Sequence, residues 1–252
     1  MWDPALAGLF ARSVRLKPDA TYHAHGIVRS MSRPRLSALG LRAALAILLV
    51  ADGGAADRTA RELAEALQRK YDAVKDFSAD FVHTYQGGVL KKQLTERGRL
   101  LIKKPGRMRW DYTAPEKKQF VSDGTKIYFY MPADKQVIVS SVPPSAEATT
   151  PALFLAGKGR LTNEFTPSLI ELPAGLPAGS QALKLVPKAR QPDYDWLVLA
   201  VDPATLAIRG LVTIDAQGGT STFAFTNLKQ NVGLADHEFT FQIPRGVDVV
   251  SD

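Results

Sequence analysis

Cysteine is absent from this chain. Its absence excludes disulfide bonds, thiol catalysis and cysteine-ligated zinc, and it also excludes a mature lipoprotein, whose lipid is attached to a cysteine. Histidine is scarce, with four in all, and only His83 and His237 lie beyond residue 56. Neither has metal-ligand spacing, and the H-x-x-x-H, G-x-S-x-G and phosphate-binding glycine motifs are missing. The sequence therefore predicts no catalytic centre, no metal and no cofactor, and each histidine is interpreted as an ordinary strand residue.

The apolar run near the start is too short to span a bilayer. It is AALAILLV at 43–50, whereas a membrane helix needs about 20 residues. Arginines precede the run, and the small residues GGAA follow it at 53–56. This order of basic, apolar and small residues predicts a secretory signal peptide at 31–56, cleaved near Ala55 or Ala56.

The predicted signal peptide divides the chain. Residues 1–30 show no apolar period, so we interpret them as an upstream extension, either a mis-assigned start or a disordered tail. Residues 57–252 contain no fixed-period repeat and no dividing linker, and they are predicted to form one domain. The alternative is a cytoplasmic protein with an ordinary amphipathic start.

Much of the positive charge belongs to the predicted leader. The chain has a formal net charge of +7, but residues 1–56 hold 7 basic and 3 acidic residues, which leaves +3 for the remainder. The lysine pairs at 91–92, 103–104 and 117–118 are interpreted as solvated strand faces. We therefore expect no nucleic-acid partner, because such proteins carry a basic patch on a binding fold.

An amphipathic helix is predicted over 59–75. Its apolar residues Leu63, Leu67, Tyr71 and Val74 recur at helical spacing. A helix with one apolar face must cover another surface. A strand pattern follows at 77–85, with one side formed by Phe77, Ala79, Phe81, His83 and Tyr85.

The stretch at 98–132 predicts a curved antiparallel sheet with one face of large side chains. Met108, Trp110 and Tyr112 alternate with charged residues, and alternate side chains of a strand point to the same face. Turn residues KPG at 104–106 and SDG at 122–124 join the strands.

The rest of the chain adds further strands and one short helix. Pro151 and Gly157 bracket an apolar segment at 152–156, which predicts a helix that needs a partner surface. Regular strand spacing indicates a sandwich or a barrel of about ten or eleven strands. The further strands are predicted at 135–141, 163–172, 181–187, 194–202, 206–215, 220–228 and 237–243.

Two motifs resemble those of the LolA family of periplasmic outer-membrane lipoprotein carriers. They are KKPGRMRWDY at 103–112 and VSDGTKIYFYMP at 121–132, supported by FSADF at 77–81 and TPALFL at 150–155. The resemblance covers about residues 60–250. It implies a mainly β fold with a helical lid, namely an unclosed antiparallel β-barrel of about eleven strands whose helices cover a concave apolar face.

The resemblance also implies candidate functional residues. In the family, the basic residue before the proline governs acceptance and release of cargo, and here that residue is Lys104, where arginine is typical. We expect the groove that holds acyl chains to be lined by Phe81, Met108, Trp110, Phe129, Leu153 and Phe154. The alternative for each of these six residues is an ordinary place in the core.

The implied function is a monomeric periplasmic shuttle and not an enzyme. Its cargo would be outer-membrane lipoproteins, received from an inner-membrane ATP-driven release complex and passed, where one exists, to an outer-membrane acceptor. The other interpretations are a sensor of lipids or lipoproteins with the same half-barrel fold, a shuttle for another lipid, and an enzyme that acts on a lipid or glycan in the groove. An enzyme would need polar residues that converge at the groove mouth, and the sequence indicates no such cluster.

Overall fold

The fold is one large open sheet with a helix on its inner face. A computed structural model describes residues 58–87, 93–142, 160–191, 194–214 and 218–251. In the described residues the chain order is helix α1 (Ala60–Ala73), strands β1 (Asp76–Gln86), β2 (Gln93–Lys103), β3 (Arg107–Ala114), β4 (Lys118–Asp123), β5 (Lys126–Met131) and β6 (Gln136–Ser141), helix α2 (Leu161–Glu164), strands β7 (Phe165–Ile170), β8 (Gln181–Pro187), β9 (Trp196–Val201), β10 (Ile208–Ile214) and β11 (Thr220–Gln230), a 3₁₀ helix (Asp236–Phe239) and strand β12 (Asp248–Ser251).

The strands form a single 12-stranded sheet that does not close. Its order is β12-β6-β5-β4-β3-β2-β1-β11-β10-β9-β8-β7, so that β12 and β7 are the two edges. Each neighbouring pair is antiparallel except β12 and β6, which run parallel from Asp248 opposite Gln136. The sheet confirms the expected unclosed, mainly β fold.

Helix α1 begins with a capping box. The Glu62 amide donates to the Thr59 hydroxyl, and the Thr59 amide donates to the Glu62 carboxylate at 2.8 Å. Its predicted apolar stripe is confirmed, because Leu63, Leu67 and Tyr71 are buried in the main core cluster. The helix contacts α2, β7 and β8 and so lies on the inner face of the sheet.

The alternation predicted for the central strands is also confirmed. Met108, Trp110 and Tyr112 are buried on the inner face, while Arg107 and Arg109 are half-buried on the outer face. The inward-pointing apolar residues of β1, β2 and β11 belong to the same inner cluster, namely Phe77, Ala79, Phe81, Leu100, Ile102, Phe223 and Phe225.

Two of the predicted strands need correction. The strand expected at 163–172 begins only at Phe165, because Leu161–Glu164 forms a helical turn. The strand expected at 237–243 is wrong, since that segment holds the 3₁₀ helix and then extended chain without a ladder. The helix expected at 152–156 lies outside the described residues, as do residues 1–57 with the predicted leader.

Residues 231–247, which we call the strap, cross the outer face of the sheet. Phe239 is 1% exposed, and its 3₁₀ helix contacts β3 and β4. Arg109 Nη1 donates to the Glu238 carbonyl at 3.1 Å, and the Asp236 carboxylate accepts from Lys103 at 2.6 Å. Side-chain bonds therefore hold the strap where a strand would use backbone bonds.

Candidate functional site

The inner face of the sheet carries a cluster of aromatic rings. The Phe81 ring makes edge contacts with Trp110 at 5.2 Å and with Tyr112 at 4.9 Å between centroids, and Trp110 contacts Phe223 at 5.4 Å. Such edge-to-face pairs add about 0.5–1.5 kcal/mol each beyond their buried area. Among the described residues, no hydrogen-bond partner reaches the Trp110 indole N–H. The cluster is therefore a deep, apolar surface.

A glycine lets this cluster pack down onto the sheet. Gly98 on β2 lies opposite Phe81 on β1. A Cβ at this position would stand 2.7 Å from the Phe81 ring and 2.1 Å from the Asp111 carbonyl oxygen. Only a residue without a side chain leaves room for the Phe81 ring there.

The predicted groove residues in the described chain belong to one cluster. Phe81 is 2% exposed, Met108 1% and Trp110 2%, and the half-buried Phe129 packs against the same cluster. Leu153 and Phe154 lie outside the described residues, so their role stays a prediction. Because the first three side chains are almost fully covered, a ligand reaches them only after other groups move aside.

Helix α1 is anchored to the sheet at its last turn. The Ile208 amide donates to the Tyr71 hydroxyl at 3.0 Å, and the Tyr71 ring meets Phe77 edge-on at 6.4 Å. Burial raises the pKa of Tyr71 to about 12, against the smaller opposing effect of the hydrogen bond from Ile208. On the exposed side of the same turn, Lys70 Nζ donates to the Thr205 carbonyl at 2.7 Å.

Lys104 joins this same helix end to the β2–β3 turn. Its Nζ donates to the backbone carbonyl of Tyr71, and its amide donates to the Lys75 carbonyl at 2.8 Å. Burial lowers the pKa of Lys104, and the nearby Asp72 carboxylate opposes part of that shift. A cation at a helix C-terminus also interacts favourably with the helix dipole. The residue is therefore a latch between helix and sheet.

A buried polar network lies beyond the aromatic cluster. His83 Nδ1 is 3.1 Å from Glu96 Oε2, and His83 Nε2 is 3.2 Å from Ser221 Oγ. Lys118 Nζ lies 2.5 Å from Glu96 Oε1. The exposed side-chain fractions are 0% for His83, 2% for Glu96 and 12% for Lys118. We call these four residues the polar network.

The charge of Glu96 follows from its partners. Burial alone would raise the pKa of Glu96, but hydrogen bonds with His83 and Lys118, together with their charges, outweigh burial and hold that pKa below its usual range. The Glu96 carboxylate is thus ionised and paired inside the protein.

The sequence did not reveal this network, because its members lie at positions 83, 96, 118 and 221. The expectation concerned the groove mouth, whereas the strand register assembles these polar residues deep on the inner face, where none were predicted. The alternation of side chains along each strand did contain a signal. Glu96 is an even number of residues from Leu100 and Ile102, which point inward, and Lys118 is two residues from the inward-pointing Phe120. A charged residue at an inward position predicts a partner for that charge.

The network has the connectivity of a serine–histidine–acid triad, but its serine lies on a strand inside the sheet. Ser221 lies within β11 and pairs with Tyr85 on one side and Thr213 on the other. Its backbone is therefore engaged by both neighbouring strands and does not form an oxyanion hole.

The described ranges contain no group of three or more His, Cys, Asp or Glu side chains placed to hold a metal ion. In the same ranges, no helix has the length and apolarity to cross a membrane.

Comparison with known proteins adds sequence relatives. The model of the family described as outer membrane lipoprotein carrier protein LolA matches residues 72–242. An outer-membrane lipoprotein carrier protein of Methylococcus capsulatus is 32% identical over 72% of this chain and 84% of its own length. Another from Chromohalobacter salexigens is 30% identical over 85% of this chain and 95% of its own length.

Solved structures are also similar to this chain. The crystal structure of a LolA superfamily protein from Nitrosomonas europaea covers 73% of this chain and 99% of its own, with 16% identity and a TM-score of 0.42.

Proposed function

The chain belongs to the family of the outer membrane lipoprotein carrier protein LolA, and we propose that it is a periplasmic carrier that shelters the acyl chains of lipoproteins on its way from the inner to the outer membrane. It is a binding protein and not an enzyme. The observation that carries the proposal is the apolar inner face of an unclosed sheet with α1 packed onto it.

Acyl chains need such a surface. Exposure of a chain to water costs about 0.8 kcal/mol per CH₂, so that three chains of a lipoprotein cost tens of kcal/mol. An inner face rich in Phe and Leu offers shelter, and the flexible thioether of Met108 adapts to chains of irregular shape. The cargo is therefore soluble only while it is held.

A carrier must also release its cargo. In the structure, Phe81, Met108 and Trp110 are covered by the protein's own side chains. Acyl chains thus replace contacts that the empty protein makes with itself, and the net gain on loading is smaller than the full transfer free energy. We propose that these residues, with Phe129, Leu153 and Phe154, line the groove once it opens.

Lys104 is proposed to control this exchange. Its bond to the Tyr71 carbonyl stabilises α1 against the sheet in the empty protein. The groove opens when α1 shifts, and the bond is then lost. Reformation of the bond favours the empty state and therefore favours release.

The proposed partners follow from the same function. Lipoproteins are the cargo, an inner-membrane ATP-driven complex supplies them, and an outer-membrane acceptor, where one exists, receives them. The carrier works as a monomer in the periplasm.

The test is purification from the periplasm followed by mass spectrometry of whatever co-purifies. Triacylated proteins in the purified complex support the proposal. Phospholipid alone contradicts it and indicates a shuttle for another lipid.

A further inference from the structure

We propose that the polar network of His83, Glu96, Lys118 and Ser221 is the floor of the apolar groove and sets the longest acyl chain that the protein holds. This inference rests on the proposed carrier function and goes beyond it, because it names the residues that decide cargo length.

The strand register places the network at one end of the groove. Trp110 pairs with Phe120 and Tyr112 pairs with Lys118, so β3 and β4 lead from the aromatic cluster to the network. On the other side, His83 pairs with Glu96, two positions beyond Phe81 and Gly98. The latch residue Lys104 stands at the opposite end of β2 and β3, in the turn that joins them. An acyl chain that enters beside the latch and follows β3 meets the network last.

The network is continuous with the aromatic cluster. The His83 ring stacks on Phe223 with centroids 4.1 Å apart and an interplanar angle of 5°. Phe223 contacts both Trp110 and Phe81. At the other edge of the network, Lys118 Nζ lies 5.1 Å from the centre of the Tyr112 ring. The apolar surface therefore ends directly against charged groups, without an intervening layer.

A methyl terminus stops at such a boundary for an electrostatic reason. To go further it must separate Glu96 from Lys118 or His83, and both Glu96 and His83 are buried. An unpaired charge in a buried site is much more costly than the burial of one more methylene is favourable. The network therefore excludes acyl chains beyond a certain length, whereas an apolar floor of the same shape would move aside for a longer chain.

The test compares a series of saturated fatty acids of increasing length as competitors of a fluorescent fatty acid. The variant is the double substitution Glu96→Leu with Lys118→Met, which removes both charges together and so leaves neither of them unpaired. Its matched control is Arg61→Ala with Glu65→Ala, which removes an ion pair whose side chains are 82% and 39% exposed on α1. Circular dichroism verifies the fold of each variant. If the double variant does not fold, Glu96→Gln with Lys118→Met takes its place, because it removes the same charges and keeps the side-chain length at position 96.

The expected result is a limit in chain length that the variant moves. In the wild type and the control, affinity rises about fourfold per added methylene and then stops rising. In the double variant it continues to rise, so that a chain two methylenes beyond the wild-type limit binds about 15-fold tighter.

If the wild type, the control and the double variant all bind fatty acids tightly and share one limit in chain length, the network is not the floor, and the carrier function still stands. Failure of every fatty acid to compete, in the wild type too, overturns the carrier function along with it. Hydrolysis of a fatty-acyl ester by the wild type and not by Ser221→Ala also overturns the inference, since it makes the network catalytic.

Discussion

Replacement of Lys104 by methionine removes the latch while it keeps much of the side-chain volume. The wild-type Nζ donates to the Tyr71 carbonyl in the last turn of α1. A hydrogen bond with a charged partner contributes about 1.5–3 kcal/mol. The turn that holds Lys104 is half exposed, so we take a value of about 2 kcal/mol, which corresponds to about a 30-fold change in the opening equilibrium of α1.

Native-state hydrogen exchange measures this opening, because a helix of 14 residues that leaves the sheet is too short to keep its own hydrogen bonds in water. In Lys104→Met we expect the amides of Leu67 and Tyr71 to exchange about 30-fold faster than in the wild type. Amides of β5 and β6, which pair with each other along their length, should not change. Affinity for a fluorescent fatty acid should rise, because the closed empty state that competes with loading is less stable.

Two further variants isolate the cause. Lys104→Arg keeps the cation and its donors and should retain slow exchange. Lys75→Met removes an equal charge just after α1, at an exposed position, and should resemble the wild type. Equal exchange rates in Lys104→Met and the wild type would refute the latch.

Three other predictions concern the sheet, the strap and the network. Gly98→Ala should lower the free energy of unfolding by about 1–3 kcal/mol or more in urea denaturation, because the new Cβ meets the Asp111 carbonyl at 2.1 Å; an unchanged midpoint would contradict the packing of Phe81 on Gly98. Phe239→Ala should lower the free energy of unfolding by about 3–5 kcal/mol and Phe241→Ala by less, because Phe239 is fully buried and Phe241 is half-buried. Equal losses in the two variants would argue against the packing of the strap described above. Because the pKa of Glu96 is lower in the folded than in the unfolded protein, ionised Glu96 stabilises the fold above the unfolded-state pKa of about 4.3, and this stabilisation is lost as the pH falls through the folded-state pKa. Between neutral and acid pH, urea denaturation should therefore show a larger loss in the free energy of unfolding for the wild type than for Glu96→Gln.

The inner face could be predicted from the sequence because its signal is local. Met108, Trp110 and Tyr112 alternate with charged residues, and a period of two fixes which side chains share a face before any partner strand is known. Helix α1 was predictable from an equally local signal, the helical spacing of Leu63, Leu67 and Tyr71.

The strap and the last strand could not be predicted in this way. Phe239 and Phe241 alternate as strand residues do, but Phe239 packs on the outer face of the sheet and Phe241 packs on Tyr128 and Tyr130. Strand β12 carries Val249 and Val250, which are 53% and 44% exposed, and it exists only because its backbone pairs with β6. Both outcomes depend on contacts with residues far away along the chain.

The candidate site likewise has one part that local sequence patterns predict and another that depends on contacts between distant residues. The apolar groove residues were predicted from alternation and family resemblance, and Lys104 from its place before the proline, and these roles stay predictions. Glu96 and Lys118 were missed because a charged residue on a strand is normally assigned to the solvent-exposed face. Their proximity follows only from the strand order β4-β3-β2-β1, which places β2 and β4 on either side of β3. Register, and not composition, turns these separate residues into one network.

Photocrosslinking from position 108 in cells measures most directly whether acyl chains lie against the inner face of the sheet. A photoreactive amino acid replaces Met108 on the inner face, and a second protein carries it at the exposed outer position of Arg99. We expect the inner probe to capture lipoproteins through their acylated N-terminus and the outer probe to capture none. Capture of lipoproteins by neither probe, or by both equally, would contradict a carrier that holds acyl chains within this face.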